Sequence, residues 1–298
     1  MKRLSGKDER GFALLLVLWG LMILSLLTAT FLRETRAGTT LARNVLENAK
    51  AEALAEAAVT RAILGLLDPD PRRGWRADGR RYQFALGEGR IEIRIQDEAG
   101  KIDLNHASAA TLRALLQVAG QNSEAARSMA DSILDYADPD SDRRPAGAED
   151  PDYAAAGRMD GSKDAPFENN EELLNVLGLS NDAYDAISGG VTVFSEESEA
   201  DPRTAPEVVL RAMPGLSKRE IDQIMAMRSI DAPSVPRTPV GVVTINAQAA
   251  TQNGGRYALE AIARVDEDAA QPFEILSWRH FWLSKASGSN PAPAAEAR

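Results

Sequence analysis

Residues 11–32 read GFALLLVLWGLMILSLLTATFL, and this stretch decides how the rest of the chain is organised. It contains no charged residue, and a helix of this length extends about 33 Å, enough to cross a hydrocarbon core of about 30 Å. The ten residues before it carry four basic and two acidic side chains. Because positive charge favours the cytoplasmic side, we expect a cytoplasmic N-terminus and a single membrane span, with the remaining chain beyond the membrane.

Three interpretations of this segment compete. A cleaved secretory signal has an apolar core of about 7–15 residues, whereas this run is longer and continues into the polar residues 33–36. A plain signal anchor is the second interpretation, and hydropathy alone supports it. The third depends on the junction Arg10-Gly11-Phe12, in which a basic residue and a glycine precede the Phe that opens the apolar run.

This junction resembles the cleavage site of type IV prepilins and type II secretion pseudopilins. The resemblance implies that a prepilin peptidase removes residues 1–11 as a leader, cutting after Gly11 and methylating Phe12. Most pilins carry Glu at the fifth mature position, which is Leu16 in this chain. The minor pseudopilins of the GspK type lack that Glu, so the chain resembles this family in particular. Residues 12–33 would then be the transmembrane part of the N-terminal helix.

The helix is expected to continue beyond the membrane. Residues 33–67 contain no Pro and are rich in helix-forming residues, and the sequence Asp68-Pro69 then predicts the end of the helix. An apolar residue recurs at every fourth position, which predicts the stripe that packs on the soluble domain. The stripe consists of Leu41, Val45, Ala49, Ala53 and Ala57.

The remaining pattern predicts an α+β fold. Apolar residues alternate on both sides of the turn 87–89, which indicates a hairpin, and 240–245, 256–265 and 273–279 are typical of further strands. Residues 101–235 are mostly helical, with helix, Gly-containing turn and helix occurring twice, around Gly120 and Gly215. The chain is therefore predicted to have a long N-terminal transmembrane helix packed on a small antiparallel sheet, with a large helical domain inserted between strands. GspK-type pseudopilins have this arrangement.

The predicted boundaries follow from these patterns. Residues 34–100 would form the periplasmic helix and first strands of a pseudopilin core, residues 101–235 the inserted helical domain, and residues 236–284 the last strands. The Pro-rich and Ala-rich residues 285–298 are expected to be a disordered tail.

The acidic loop after residue 134 is a candidate calcium site. Asp138, Asp140, Asp142 and Glu149 have the spacing of EF-hand carboxylates, but position 6 of the loop is Arg143 where an EF-hand needs Gly. On the residues alone, a solvated acidic turn is the favoured interpretation, because acidic turns are common. The resemblance to the GspK inserted domain, where calcium sites occur, favours calcium. The candidate ligands are Asp135, Asp138, Asp140, Asp142, Glu149 and Asp150.

The composition argues against nucleic-acid binding and against catalysis. The formal net charge of −10 does not favour nucleic-acid binding, and the chain has no Cys and only two His, so no nucleophile–base pair can be nominated. No enzymatic motif or organic cofactor site is present. The segment LRAMPGL at 210–216 resembles a helix-hairpin-helix turn, but a DNA-binding version needs a second Gly where this chain has Ser217. Because of this resemblance, a membrane-anchored periplasmic DNA-binding protein with helix-hairpin-helix modules is the alternative function.

The resemblance implies a minor pseudopilin of a type II secretion system. Such a subunit would assemble at the tip of the pseudopilus with minor pseudopilins of the GspI and GspJ types, on the inner-membrane secretion platform. It would lie in the inner membrane with a cytoplasmic N-terminus and a periplasmic C-terminal domain.

Overall fold

The computed structural model describes residues 8–70, 73–229, 241–267 and 269–281. Helix α1 is continuous over Asp8–Leu66 and ends shortly before Pro69, as predicted, because the residue before a proline is disfavoured in a helix. Its segment Phe12–Phe31 is long and apolar enough to cross a membrane, and none of its side chains is buried by the protein. The predicted tail at 285–298 and the boundary between 235 and 236 lie outside the described residues.

The described residues form seven strands. They are β1 Asp78–Leu86, β2 Gly89–Asp97, β3 Ile102–Asp103, β4 Val191–Thr192, β5 Val242–Thr251, β6 Arg256–Val265 and β7 Phe273–Phe281. Five of them make one antiparallel sheet in the order β1-β2-β5-β6-β7, and β3 and β4 form a short parallel pair. The predicted hairpin and C-terminal strands are confirmed, although β5 continues six residues past its expected end at 245.

Helix α1 packs on one face of the sheet, but not through the predicted stripe. Leu41 and Val45 are 65% and 60% exposed. A spacing of four residues advances about 40° around a helix at each step, so a line of every fourth residue spirals away from a flat partner. The true packing face alternates steps of three and four. It consists of Ala51, Ala55, Ala58, Val59, Ala62, Ile63 and Leu66, above the isoleucines of β2 and the apolar residues of β5 and β6.

Six helices of the described chain fall between β2 and β5 in sequence. They are α2 Ala109–Val118, α3 Ser123–Ala137, α4 Asp150–Ala155, α5 Asn181–Ile187, α6 Glu207–Ala212 and α7 Lys218–Ser229. The two predicted helix pairs, α2–α3 and α6–α7, are both present, and each turn has a glycine with positive φ, Gly120 at 95° and Gly215 at 86°. These helices share a hydrophobic core of their own, distinct from the one between α1 and the sheet.

A buried polar network connects the sheet with the helical block. Glu98, which follows β2, is 1% exposed, and its Oε1 lies 2.6 Å from Nζ of Lys101. Thr244 of β5 donates a hydrogen bond of 2.5 Å to the same oxygen, and Thr192 of β4 donates one of 2.5 Å to Oε2. A buried ion pair is tolerated only when its remaining hydrogen bonds are satisfied, and the two threonines satisfy those of Glu98. The network therefore fixes the position of residues 98–101 between the two hydrophobic cores.

Candidate functional site

The predicted processing junction lies at the exposed start of α1. Phe12 is 66% exposed and Leu16 56% exposed, and the backbone of Gly11 is part of the same helix. The folded domain covers none of Phe12–Phe31. An apolar side chain at position 16 also avoids an unpaired carboxylate in lipid, which is energetically costly.

The acidic loop brings three of its predicted calcium ligands close together. Asp135, in the last turn of α3, is fully buried, Asp138 follows the end of that helix, and Glu149, just before α4, is 4% exposed. Arg144 lies against the first two. Its Nη1 is 2.6 Å from Oδ1 of Asp135 and also donates to Oδ2 of Asp138. Arg144 is a counter-ion that the sequence analysis did not identify, although the pair Arg143-Arg144 within an acidic loop was a visible signal.

The guanidinium of Arg144 does not provide a hydrogen bond to every carboxylate oxygen of this cluster. Oδ1 of Asp138 and Oε1 of Glu149 are buried and accept no hydrogen bond from the described residues. Burial raises the pKa of Glu149, and the carboxylates of Asp135, Asp138 and Asp164 raise it further. Burial likewise raises the pKa of Asp135 in spite of the hydrogen bonds from Arg144. Closely spaced carboxylate oxygens without donors have the chemistry that a hard cation such as Ca²⁺ prefers.

The other predicted ligands have different surroundings. Asp140 and Asp142 are exposed, and Oδ1 of Asp140 accepts a hydrogen bond of 2.8 Å from the amide of Asp142. Asp150 is joined to the cluster by Ser162, whose hydroxyl lies 3.1 Å from both Asp150 and Glu149. Within the described parts of the chain, no three carboxylate or imidazole groups converge in a geometry that would by itself hold a metal ion.

Two glycines let the backbone come close to these carboxylates. A Cβ at Gly147 would lie 1.9 Å from Oδ2 of Asp135, and one at Gly161 would lie 1.8 Å from Oδ1 of Asp150. Asp164, three residues after Gly161, adopts a positive φ of 52°, and the charge of its carboxylate contributes to the raised pKa of Glu149. The segment 160–164 is thus a second part of the acidic site that sequence analysis missed, and its signal was the cluster Asp-Gly-Ser-Lys-Asp.

Two arginines of the helix pair α6–α7 are engaged in contacts within the protein. Arg211 pairs with Glu207 at 2.5 Å. Arg228 donates to the main-chain carbonyls of Ala205 and Pro202, so it fastens α7 to the preceding loop. These contacts use basic groups of the pair internally, and nothing in the structure supports the DNA-binding alternative.

Comparison with known proteins gives a family match for part of the chain. Residues 92–196 match the family described as type II secretion system (T2SS), protein K. Among solved structures, a chain of the GspK–GspI–GspJ complex from the type 2 secretion system of enterotoxigenic Escherichia coli matches with a TM-score of 0.54 at 17% identity. The match covers 84% of this chain and 99% of that one, which shows a shared fold. A search of curated proteins gave no match. The family match over residues 92–196 and the agreement in fold support a minor pseudopilin of the GspK type.

Proposed function

We propose that the chain is a minor pseudopilin that assembles at the tip of the pseudopilus of a type II secretion system, together with partners of the GspI and GspJ types. The observation that carries this proposal is the family match over residues 92–196, on a chain whose apolar helix continues directly into the folded domain. The role is one of assembly: the subunit supports the export of folded proteins, and no catalytic step is assigned to it.

The architecture suits a terminal position. In the proposal, residues 101–235 form a domain inserted between β2 and β5, and its bulk leaves no room for another subunit directly above. Pilin assembly is thought to use Glu at the fifth mature position to neutralise the terminal amine of a neighbour, and Leu16 has no carboxylate for this purpose. Replacement of Leu16 by Glu is therefore expected to be tolerated or mildly harmful, and complete loss of secretion would contradict the tip position.

The membrane placement follows from the charge of the N-terminal residues. The positively charged leader would stay in the cytoplasm, α1 would cross the inner membrane, and the acidic domain would lie in the periplasm. A prepilin peptidase would cut between Gly11 and Phe12.

Mass spectrometry of the mature N-terminus tests this proposal. The chain is expressed in cells with a type II secretion system and its prepilin peptidase, and the N-terminal peptide should begin with methylated Phe12. The variant Gly11→Val should retain its leader, and secretion should fail when the chain is deleted. An intact Met1 on the unaltered chain, with normal secretion after deletion, would refute the pseudopilin function.

We also propose that the acidic loop binds calcium. Asp135, Asp138 and Glu149 would supply the central oxygens, with Asp140, Asp142 and Asp150 as further candidates from the same loop. The unpartnered oxygens of Asp138 and Glu149 support this proposal. The ion would supply positive charge to a loop that has little apolar material, and the loop would then hold α3 and α4 together.

Thermal unfolding in calcium and in EDTA tests the site. Millimolar calcium should raise the melting temperature and EDTA should lower it. Glu149→Gln should abolish the difference, whereas Glu197→Gln, which removes the same charge from an exposed position, should preserve it. Equal melting temperatures of the unaltered protein in both conditions would exclude the site.

A further inference from the structure

The carboxylates that bind Arg144 are also predicted calcium ligands. Nη1 of Arg144 lies 2.6 Å from Oδ1 of Asp135 and also donates to Oδ2 of Asp138. Asp135 is fully buried, so its charge is shielded from water and the guanidinium supplies the positive charge beside it. A metal ion that uses these oxygens must therefore compete with the guanidinium of Arg144.

The guanidinium leaves part of the cluster without compensation. Glu149 is 4% exposed, and its Oε2 lies 3.1 Å from the hydroxyl of Ser162, which donates to it, whereas Oε1 accepts no hydrogen bond from the described residues. Burial raises the pKa of Glu149, and the negative charges of Asp135 and Asp138 add to that effect. Three carboxylates thus share one guanidinium, and a divalent cation would balance more of their charge.

The loop is attached to α3 by contacts that do not use the guanidinium. The main-chain amide of Arg144 lies 3.2 Å from Oδ2 of Asp135. The amide of Ala146 donates a hydrogen bond of 3.2 Å to Oδ2 of Asp131, and its carbonyl accepts one of 2.9 Å from the hydroxyl of Ser128. Because the side chain of Arg144 is 35% exposed, it can turn into solvent while the backbone of the loop keeps its position.

We propose that the guanidinium of Arg144 is an internal counter-ion that calcium displaces from Asp135 and Asp138. The inference rests on the proposed calcium site. Without calcium, Arg144 holds the loop against the end of α3. When calcium binds, the carboxylate oxygens turn to the ion and the guanidinium moves outward, because two neighbouring cations repel each other. The exchange keeps the loop folded at low calcium concentration, and it weakens the affinity of the site for calcium.

Calorimetric titration of the detergent-solubilised full chain with calcium chloride tests the exchange. Arg144→Gln removes the competing charge and should lower the Kd for calcium about tenfold or more. The matched control is Arg143→Gln, because the side chain of Arg143 is 56% exposed and pairs at 3.0 Å with Asp152, which is not a predicted ligand. Both variants remove one positive charge from the same loop, but the control should change the Kd less than about threefold, since exposed charges are screened by salt.

Chemical modification of the unaltered chain follows the guanidinium directly and needs no variant, so it also applies if Arg144→Gln fails to fold. Phenylglyoxal, which reacts with arginine side chains, is added with and without millimolar calcium, and the peptides that contain the two arginines are quantified by mass spectrometry. Calcium should raise the modification of Arg144 about threefold or more, because it releases the guanidinium into solvent, and should leave that of Arg143 unchanged.

The two measurements distinguish the exchange from the calcium site itself. If the unaltered chain binds calcium but Arg144→Gln has an equal or higher Kd, or if calcium does not raise the reactivity of Arg144, the exchange alone is refuted. An equal gain in affinity in Arg143→Gln would assign the effect to net charge and would refute it too. If neither the unaltered chain nor Arg144→Gln binds calcium, the proposed calcium site fails as well.

Discussion

Replacing Asp97 by Asn should stabilise the folded domain at neutral pH. Asp97 ends β2 and is 3% exposed, and its Oδ1 accepts a hydrogen bond of 3.0 Å from the amide of Ala99. Burial, together with the nearby carboxylates of Asp201 and Glu98, raises the pKa of this carboxyl from 3.8 to about 6. Asn still offers a side-chain oxygen that can accept the hydrogen bond from Ala99, and it removes the charge.

The size of the effect follows from the two pKa values. Each pH unit between the folded and unfolded pKa corresponds to about 1.36 kcal/mol, so ionised Asp97 costs up to about 3 kcal/mol. The folded protein binds the proton more tightly than the unfolded chain does. The favourable contribution of protonated Asp97 is therefore complete below pH 3.8 and is lost as the pH rises through about 6. The gain from Asp97→Asn should be largest above pH 7 and vanish near pH 4.

Urea unfolding of the detergent-solubilised chain, followed by tryptophan fluorescence between pH 4 and pH 8, measures this dependence. Asp201→Asn is a control of opposite sign. Burial favours the neutral form of Asp201, but the hydrogen bonds from Arg203 outweigh burial, and its pKa lies below the usual value. Asp201→Asn should thus destabilise at pH 7. If Asp97→Asn were no more stable than the unaltered chain at pH 8, the argument from burial would be refuted.

Three further predictions concern buried charges and close backbone contacts. Glu98→Gln leaves the ammonium of Lys101 buried without its partner and should cost about 3–5 kcal/mol in urea unfolding, a loss that Lys101→Met should partly reverse in the double variant. Gly147→Ala places a methyl group 1.9 Å from Oδ2 of Asp135 and should cost about 1–3 kcal/mol, seen as a lower melting temperature. Glu149→Gln should raise the stability measured in EDTA, because it removes a buried carboxylate oxygen crowded by like charges, and an unchanged melting temperature would contradict this.

Local patterns in the sequence were sufficient for the first hairpin, the two helix pairs and the C-terminal strands. The hairpin of β1 and β2 followed from alternation around Gly87, and the two helix pairs followed from their glycine turns, because both signals depend on neighbouring residues. The packing face of α1 was predicted wrongly. A line of every fourth residue turns about 40° around the helix at each step, whereas the residues of α1 that contact the sheet are separated by mixed steps of three and four.

The candidate calcium site was also predicted only in part from the sequence. The acidic residues between 135 and 150 are visible in the sequence, which predicted an acidic loop after residue 134. Only the tertiary structure decided that Asp135 and Glu149 are buried, that Arg144 is their neighbour and that Asp164 joins them. Those properties depend on atoms brought together from separate segments.

The sequence by itself determined that this chain has one long apolar helix, an acidic domain and a GspK-like N-terminal junction, because charge, hydropathy and short motifs are properties of consecutive residues. The tertiary structure decided which side of α1 covers the sheet and brought Glu52 of α1 into hydrogen-bond contact with Tyr257 of β6. The physical reason is that burial, and with it the free energy of a carboxylate or an apolar side chain, depends on which separate segments of the chain pack around it.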